Sequence, residues 1–217
     1  MKLSDSEILF CDQHLLIALK PSGLYTQPPP QGGDSLEEFA KAWVKKQYNK
    51  PGRVFLHAIH RLDKPVSGLV LFARTSKALS RLNEQQRNLE IQRVYIAEVE
   101  GILPFKEGVL DHFLAHKSHK ACICSKEDEG AKQARLTYQV LEFRQGSSIV
   151  EIELETGRYH QIRAQFSAIG HPVQGDTRYG GKEGAKESIH LHCMQIALKH
   201  PVTKEVLSFR SPSPFFI

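Results

Sequence analysis

The spacing of apolar positions changes several times along the chain. Ile8-Leu9-Phe10 and Leu15-Leu16-Ile17-Ala18-Leu19 are short apolar runs either side of Cys11-Asp12-Gln13-His14, which predicts two strands around a turn. From Ser35 the period becomes helical. Leu36, Phe39, Ala40, Trp43 and Val44 share one stripe, Ser35 and Glu38 form a capping box, and Pro51-Gly52 lies beyond the end. Leu69-Val70-Leu71-Phe72 is apolar throughout, which predicts a strand covered on both faces. Ser76 is the expected cap of a second helix, with Leu79, Leu82 and Leu89 as its stripe. Val94 to Glu100, Ala134 to Phe143 and Ser148 to Glu155 read as strands, the last two joined at Gln145-Gly146. Tyr159 to Ile169 reads as a helix stopped by Gly170, and Leu191 to Phe209 as short strands broken at His200-Pro201. Strands dominate at hairpin-like spacing. The expected class is α+β, with a mixed, mainly antiparallel β-sheet core flanked by helices and loops.

Composition narrows the function classes. With 217 residues, 41% of them hydrophobic, the chain is long enough for a substantial core. No apolar run approaches the length of a membrane span, and the first residues, through Glu7, lack an apolar signal core. A soluble, cytoplasmic protein with no membrane partner is expected. Lys and Arg number 29 against 24 Asp and Glu, a net charge of +5 that favours a polyanionic partner. Four cysteines are too few for a disulfide framework in a chain of this length. Cys122 and Cys124 are one residue apart, and His190, His192 and Cys193 nearly adjoin; neither spacing matches a usual zinc site, so no metal is expected.

Two segments concentrate polar chemistry. His60-Arg61-Leu62-Asp63-Lys64-Pro65-Val66-Ser67-Gly68 places one acid among basic residues on a tight loop feeding the apolar strand. Thr156-Gly157-Arg158-Tyr159-His160-Gln161-Ile162-Arg163 crowds polar groups at a strand-to-helix junction, where unpaired N–H groups suit an anion. Gly170-His171-Pro172-Val173-Gln174-Gly175-Asp176 follows as a polar, turn-rich loop.

These segments, in this order, resemble the RluA family of RNA pseudouridine synthases. His60 to Gly68 matches H-R-L-D-x-x-T-S-G, with Val66 where Thr is usual; Arg93 to Gly101 matches basic-x-Tyr-x-Ala-x-Val-x-Gly. Thr156 to Arg163 matches T-G-R-x-H-Q-[IL]-R, Gly170 to Asp176 continues it, and Asp12 to Gly23 matches an N-terminal element ending K-P-x-G. The likeness runs from about residue 8 to the end. It implies the pseudouridine synthase fold and a single catalytic domain over residues 1–217, with no separate N-terminal RNA-binding domain. It also implies isomerisation of a uridine in structured RNA, ribosomal or transfer, without metal or organic cofactor. A monomer is the default expectation.

Residue by residue, the resemblance makes Asp63 the essential carboxylate, Arg163 its partner and Tyr95 the ring on the target base. Arg61 matches a position that helps displace the base. His60, Lys64, Arg158, His160 and Gln161 are the remaining expected RNA contacts. The chemistry is consistent with these roles. Cleaving a glycosidic bond makes the sugar cation-like; a carboxylate can bond to it, or remove a sugar proton to give a glycal. Both routes need an ionised acid, which a nearby guanidinium favours.

Two other readings compete. A catalytically silent RNA-binding or RNA-chaperone protein of the same fold would explain the basic balance and Val66. A hydrolytic glycosidase would need a second carboxylate, for which Asp176 is the one candidate.

Overall fold

The structure is a computed structural model that describes residues 3–185 and 187–216. Met1 and Lys2, part of the N-terminal segment read above, lie outside the described residues. The chain divides into two compact units, Met1–Ile91 with Cys193–Ser211, and Gln92–His192 with Pro212–Ile217.

The first unit holds β1 (Ile8–Cys11), β2 (Leu15–Lys20), α1 (Leu36–Gln47), β3 (His57–Ala58), β4 (Ser67–Ala73) and α2 (Ser76–Arg87). β4 pairs antiparallel with β2 and β3, and β2 with β1. All seven residues of β4 are buried, as its unbroken apolar run predicts. In α1 the Ser35 hydroxyl caps the Glu38 N–H, and Leu36, Ala40 and Val44 form the buried stripe. Trp43 instead reaches out to give its indole N–H to Asp5 at 2.8 Å. The cap of α2 is Thr75 rather than Ser76, and its buried stripe is Ala78, Leu82 and Gln85. Leu89 falls past the helix end, at φ 59° and 58% exposed, because the helix stops two residues too early to keep it on the stripe.

The second unit begins with β5 (Gln92–Glu100), β6 (Glu107–Lys117), β7 (Lys120–Cys124), β8 (Lys132–Arg144) and β9 (Ser147–Leu154). They run in the order β5-β9-β8-β6-β7, each neighbouring pair antiparallel. Neither β6 nor β7 is among the strands that the apolar pattern predicts. α3 (Gln161–Ala168) is shorter than predicted at both ends. Phe166 packs its ring on Tyr138, and the buried Gln165 amide donates to the Leu110 and Ala134 carbonyls at 3.0 and 2.9 Å, tying α3 to β6 and β8. β10 (Leu191–Lys199) carries the chain from the second unit back into the first, where β11 (Val206–Arg210) pairs with it antiparallel. Among the described residues no helix is long and apolar enough to cross a membrane, and no three potential ligands cluster to hold a metal.

Candidate active site

In the first unit the backbone around Asp63 is gripped on both sides. The Thr26 hydroxyl donates to the Leu62 carbonyl at 2.9 Å and accepts from the Leu62 N–H at 3.0 Å. On the other side, the Lys64 carbonyl accepts from the Gly23 N–H at 2.8 Å and from the Lys20 ammonium at 3.1 Å. The loop then closes with the Val66 N–H on the Asp63 carbonyl at 3.0 Å. Asp63 and Lys64 are half-buried, Arg61 is exposed, and His60 is buried, with Nε2 accepting from the Leu71 N–H at 3.2 Å. Val66 is 3% exposed, so the missing hydroxyl is replaced by a buried methyl that needs no hydrogen-bond partner. Gly68 sits at φ 124°, and a Cβ there would overlap the Cys193 backbone.

Lys20 was read only as part of a matching segment, yet it is fully buried beside the acid. Its ammonium also donates to the Pro21 and Leu24 carbonyls at 2.9 and 2.7 Å. Burial pushes its pKa down to about 7, while the Asp63 carboxylate pulls it up. Periodicity carries no signal for such a residue, because a lysine closing a strand ordinarily reads as a solvent-facing end.

In the second unit the Arg163 guanidinium, 4% exposed, meets Asp176, 2% exposed. Nε donates to one carboxylate oxygen at 2.6 Å and Nη2 to the other at 2.9 Å, a buried two-point ion pair. As a second acid for glycoside hydrolysis Asp176 is unsuited, being committed to an arginine and shut from solvent. Tyr95 lies on β5 opposite Ile152 and is 5% exposed. Arg158 is exposed and donates to the Gln133 carbonyl at 2.8 Å. Gln161 is buried: its amide oxygen accepts from Thr156 Oγ1 and the Arg158 N–H, and its nitrogen donates to the Arg135 carbonyl. That side chain holds the turn entering α3. His160 caps α3 in a left-handed conformation, φ 51°, stacked on the Tyr159 ring with centroids 3.7 Å apart.

The loop at Asp63 and the start of α3 are therefore each held by hydrogen bonds within their own unit. A sequence model for RNA pseudouridylate synthases matches residues 14–168. The chain belongs to that family. Its members are isomerases. The chain is 35% identical to the dual-specificity RNA pseudouridine synthase RluA of Pasteurella multocida, over 96% of its own length and 94% of the relative's. It is 34% identical to ribosomal large subunit pseudouridine synthase D of Nitrosomonas europaea, again over 96% of this chain but spanning only 62% of that relative. The fold of human RNA pseudouridylate synthase domain containing 4 superposes with a TM-score of 0.81 at 24% identity, covering 97% of this chain and 89% of that one. The expected pseudouridine synthase fold is thereby found.

Proposed function

We propose that this chain isomerises specific uridines in structured RNA, ribosomal or transfer, to pseudouridine. The observation that carries the reading is the fixed loop around Asp63 within a chain of this family. In this reading Asp63, Tyr95 and Arg163 are the catalytic residues and Arg61 an RNA contact, in one catalytic domain acting as a cytoplasmic monomer. The target nucleotide leaves the stack, Arg61 fills the gap, and the Asp63 carboxylate attacks the ribose or assists glycal formation. Asp176 fixes the Arg163 guanidinium through two of its N–H groups, and in this reading Arg163 is the partner that keeps Asp63 ionised. Asp176 thus holds Arg163 rather than acting as a second acid. Tyr95 retains the detached uracil while it turns to rejoin through carbon. His60, Lys64, Arg158 and His160 support the RNA or the loops that touch it. No step calls on a metal or organic cofactor.

The test is Asp63→Asn incubated with unmodified ribosomal and transfer RNA transcripts, with nucleosides then analysed by mass spectrometry. The variant is expected to melt like the parent and to bind RNA, yet form no pseudouridine. Activity near that of the parent would end this reading. RNA from cells with and without the protein, mapped for pseudouridine, identifies the substrate: a single missing site names both the RNA and the uridine.

A further inference from the structure

The β6–β7 hairpin carries features that the catalytic reading leaves unused. Its register pairs Lys117 with Lys120, so Ser118 and His119 alone make the turn. Both have positive φ, 45° and 62°. A two-residue hairpin turn of this hand favours Asn-Gly, and side chains such as those of Ser and His cost about 1 kcal/mol or more each there. Such strain persists where the surroundings over-determine it, and here they do. The His119 carbonyl accepts from the Tyr159 hydroxyl at 3.2 Å and from Arg178 Nη1 at 3.4 Å. Two residues past the turn, the Ala121 N–H donates to the Tyr179 hydroxyl at 2.8 Å, which also bonds His160 Nδ1 at 2.9 Å.

The pinned tip faces solvent. Residues 116–120 are all exposed, and no acid occurs between His112 and Cys124. Lys117 and Lys120 bracket the turn, Arg178 reaches it, and Tyr159 is 44% exposed with the His116 ring set edge-on 4.9 Å away. Fixed cations beside an exposed ring suit an RNA strand, whose phosphates take the charges and whose bases stack. Tyr179 links this surface to the site, since its ring lies under both the Lys120 ammonium, at 5.8 Å, and the Arg163 guanidinium, at 5.0 Å.

The geometry points to the hairpin tip, with Tyr159 and Arg178, as an RNA-binding surface that grips an unpaired stretch of the substrate through phosphate contacts and one base stacked on Tyr159. This rests on the reading that the substrate is RNA, and names the part of the chain that helps choose it.

The experiment measures binding of a fluorescein-labelled, unmodified transfer RNA transcript by anisotropy across about 50–200 mM salt, with pseudouridine formation assayed in parallel. Lys117→Gln with Lys120→Gln is expected to flatten the slope of log affinity against log salt by about 1.4, as two lost phosphate contacts on an unpaired strand require. Tyr159→Ala is expected to weaken binding by about five- to 150-fold at an unchanged slope, while Tyr159→Phe, which keeps the ring, stays within about twofold. An unchanged slope in the lysine pair, or parental affinity in Tyr159→Ala, overturns the proposal. The lysines are exposed turn neighbours, so their replacement leaves the fold intact; thermal melting checks Tyr159→Ala. A parent that makes pseudouridine while the hairpin variants bind normally sinks the hairpin alone. A parent that binds RNA through the hairpin but makes no pseudouridine sinks the catalytic reading alone. A parent that does not bind RNA sinks both.

Discussion

The hydroxyl of Thr26 satisfies both backbone groups of Leu62, accepting from its N–H and donating to its carbonyl across 36 positions of sequence. The residue that follows Leu62 is Asp63. A single side chain thus sets where the carboxylate is presented, and Thr26→Val replaces it by a group of similar shape that can do neither task. The expected loss is about 1–3 kcal/mol of stability, since two buried backbone groups lose their partner. In steady-state kinetics kcat falls more than KM rises, and Thr26→Ser restores both. Unaltered kcat in Thr26→Val would separate the clamp from catalysis.

Lys20 gives a pH signature. Its folded pKa of about 7 lies below the ordinary lysine value of 10.5. Between those values the unfolded chain holds more protons than the folded one, so this group makes stability rise with pH across the window, by at most about 1.4 kcal/mol per unit. Below pH 7 both states carry the charge and the slope vanishes. Urea unfolding from pH 6 to 10, with Lys20→Met as the reference, reads the effect as a difference between the two curves. Parallel curves would show that the ammonium stays charged throughout the range, held by its three carbonyl acceptors and Asp63.

The Arg163–Asp176 pair predicts a large asymmetry. Asp176→Asn takes away the carboxylate that a buried guanidinium meets at two points, and the expected cost is about 3–5 kcal/mol in urea unfolding. Replacing both residues together, Arg163→Met with Asp176→Leu, costs clearly less than the sum of the two single changes. Additive losses would mean that the pair does not act as a unit. Pseudouridine formation is expected to fall in every one of these variants.

Gly68→Ala tests the junction between the acid loop and β4. The added methyl would collide with the Cys193 backbone at a φ of 124° that side chains rarely tolerate. Soluble expression and melting temperature are expected to drop sharply, whereas Gly146→Ala, at a positive φ with open space around it, is the milder control.

Much of the first unit was written in the local pattern. β4 announces itself because every residue from Leu69 to Phe72 is apolar, and α1 because Ser35, Glu38 and the Leu36–Ala40–Val44 stripe agree on one helix. The hairpin of β6 and β7 did not, because His112, His116 and Asp111 interrupt the alternation of a strand with one open face, and Ser118-His119 is an atypical turn. α3 lost its predicted first turn because His160 adopts a left-handed backbone that no periodicity records.

By itself, the chain's order of residues determined the class of fold and the family likeness, and through that likeness it puts forward Asp63, Tyr95 and Arg163 as candidates. The fold class follows from local period, and the likeness from residue types at fixed spacing. Tertiary structure alone decided that Thr26 and Lys20 clamp the loop at Asp63, that Asp176 is the carboxylate on Arg163 within its unit, and that Tyr159 and Arg178 pin a strained turn about 40 to 60 residues away. The physical reason is range: a hydrogen bond or ion pair needs atoms within about 3 Å of each other. Which distant atoms come that close is fixed by the path of the packed chain, not by neighbours in sequence.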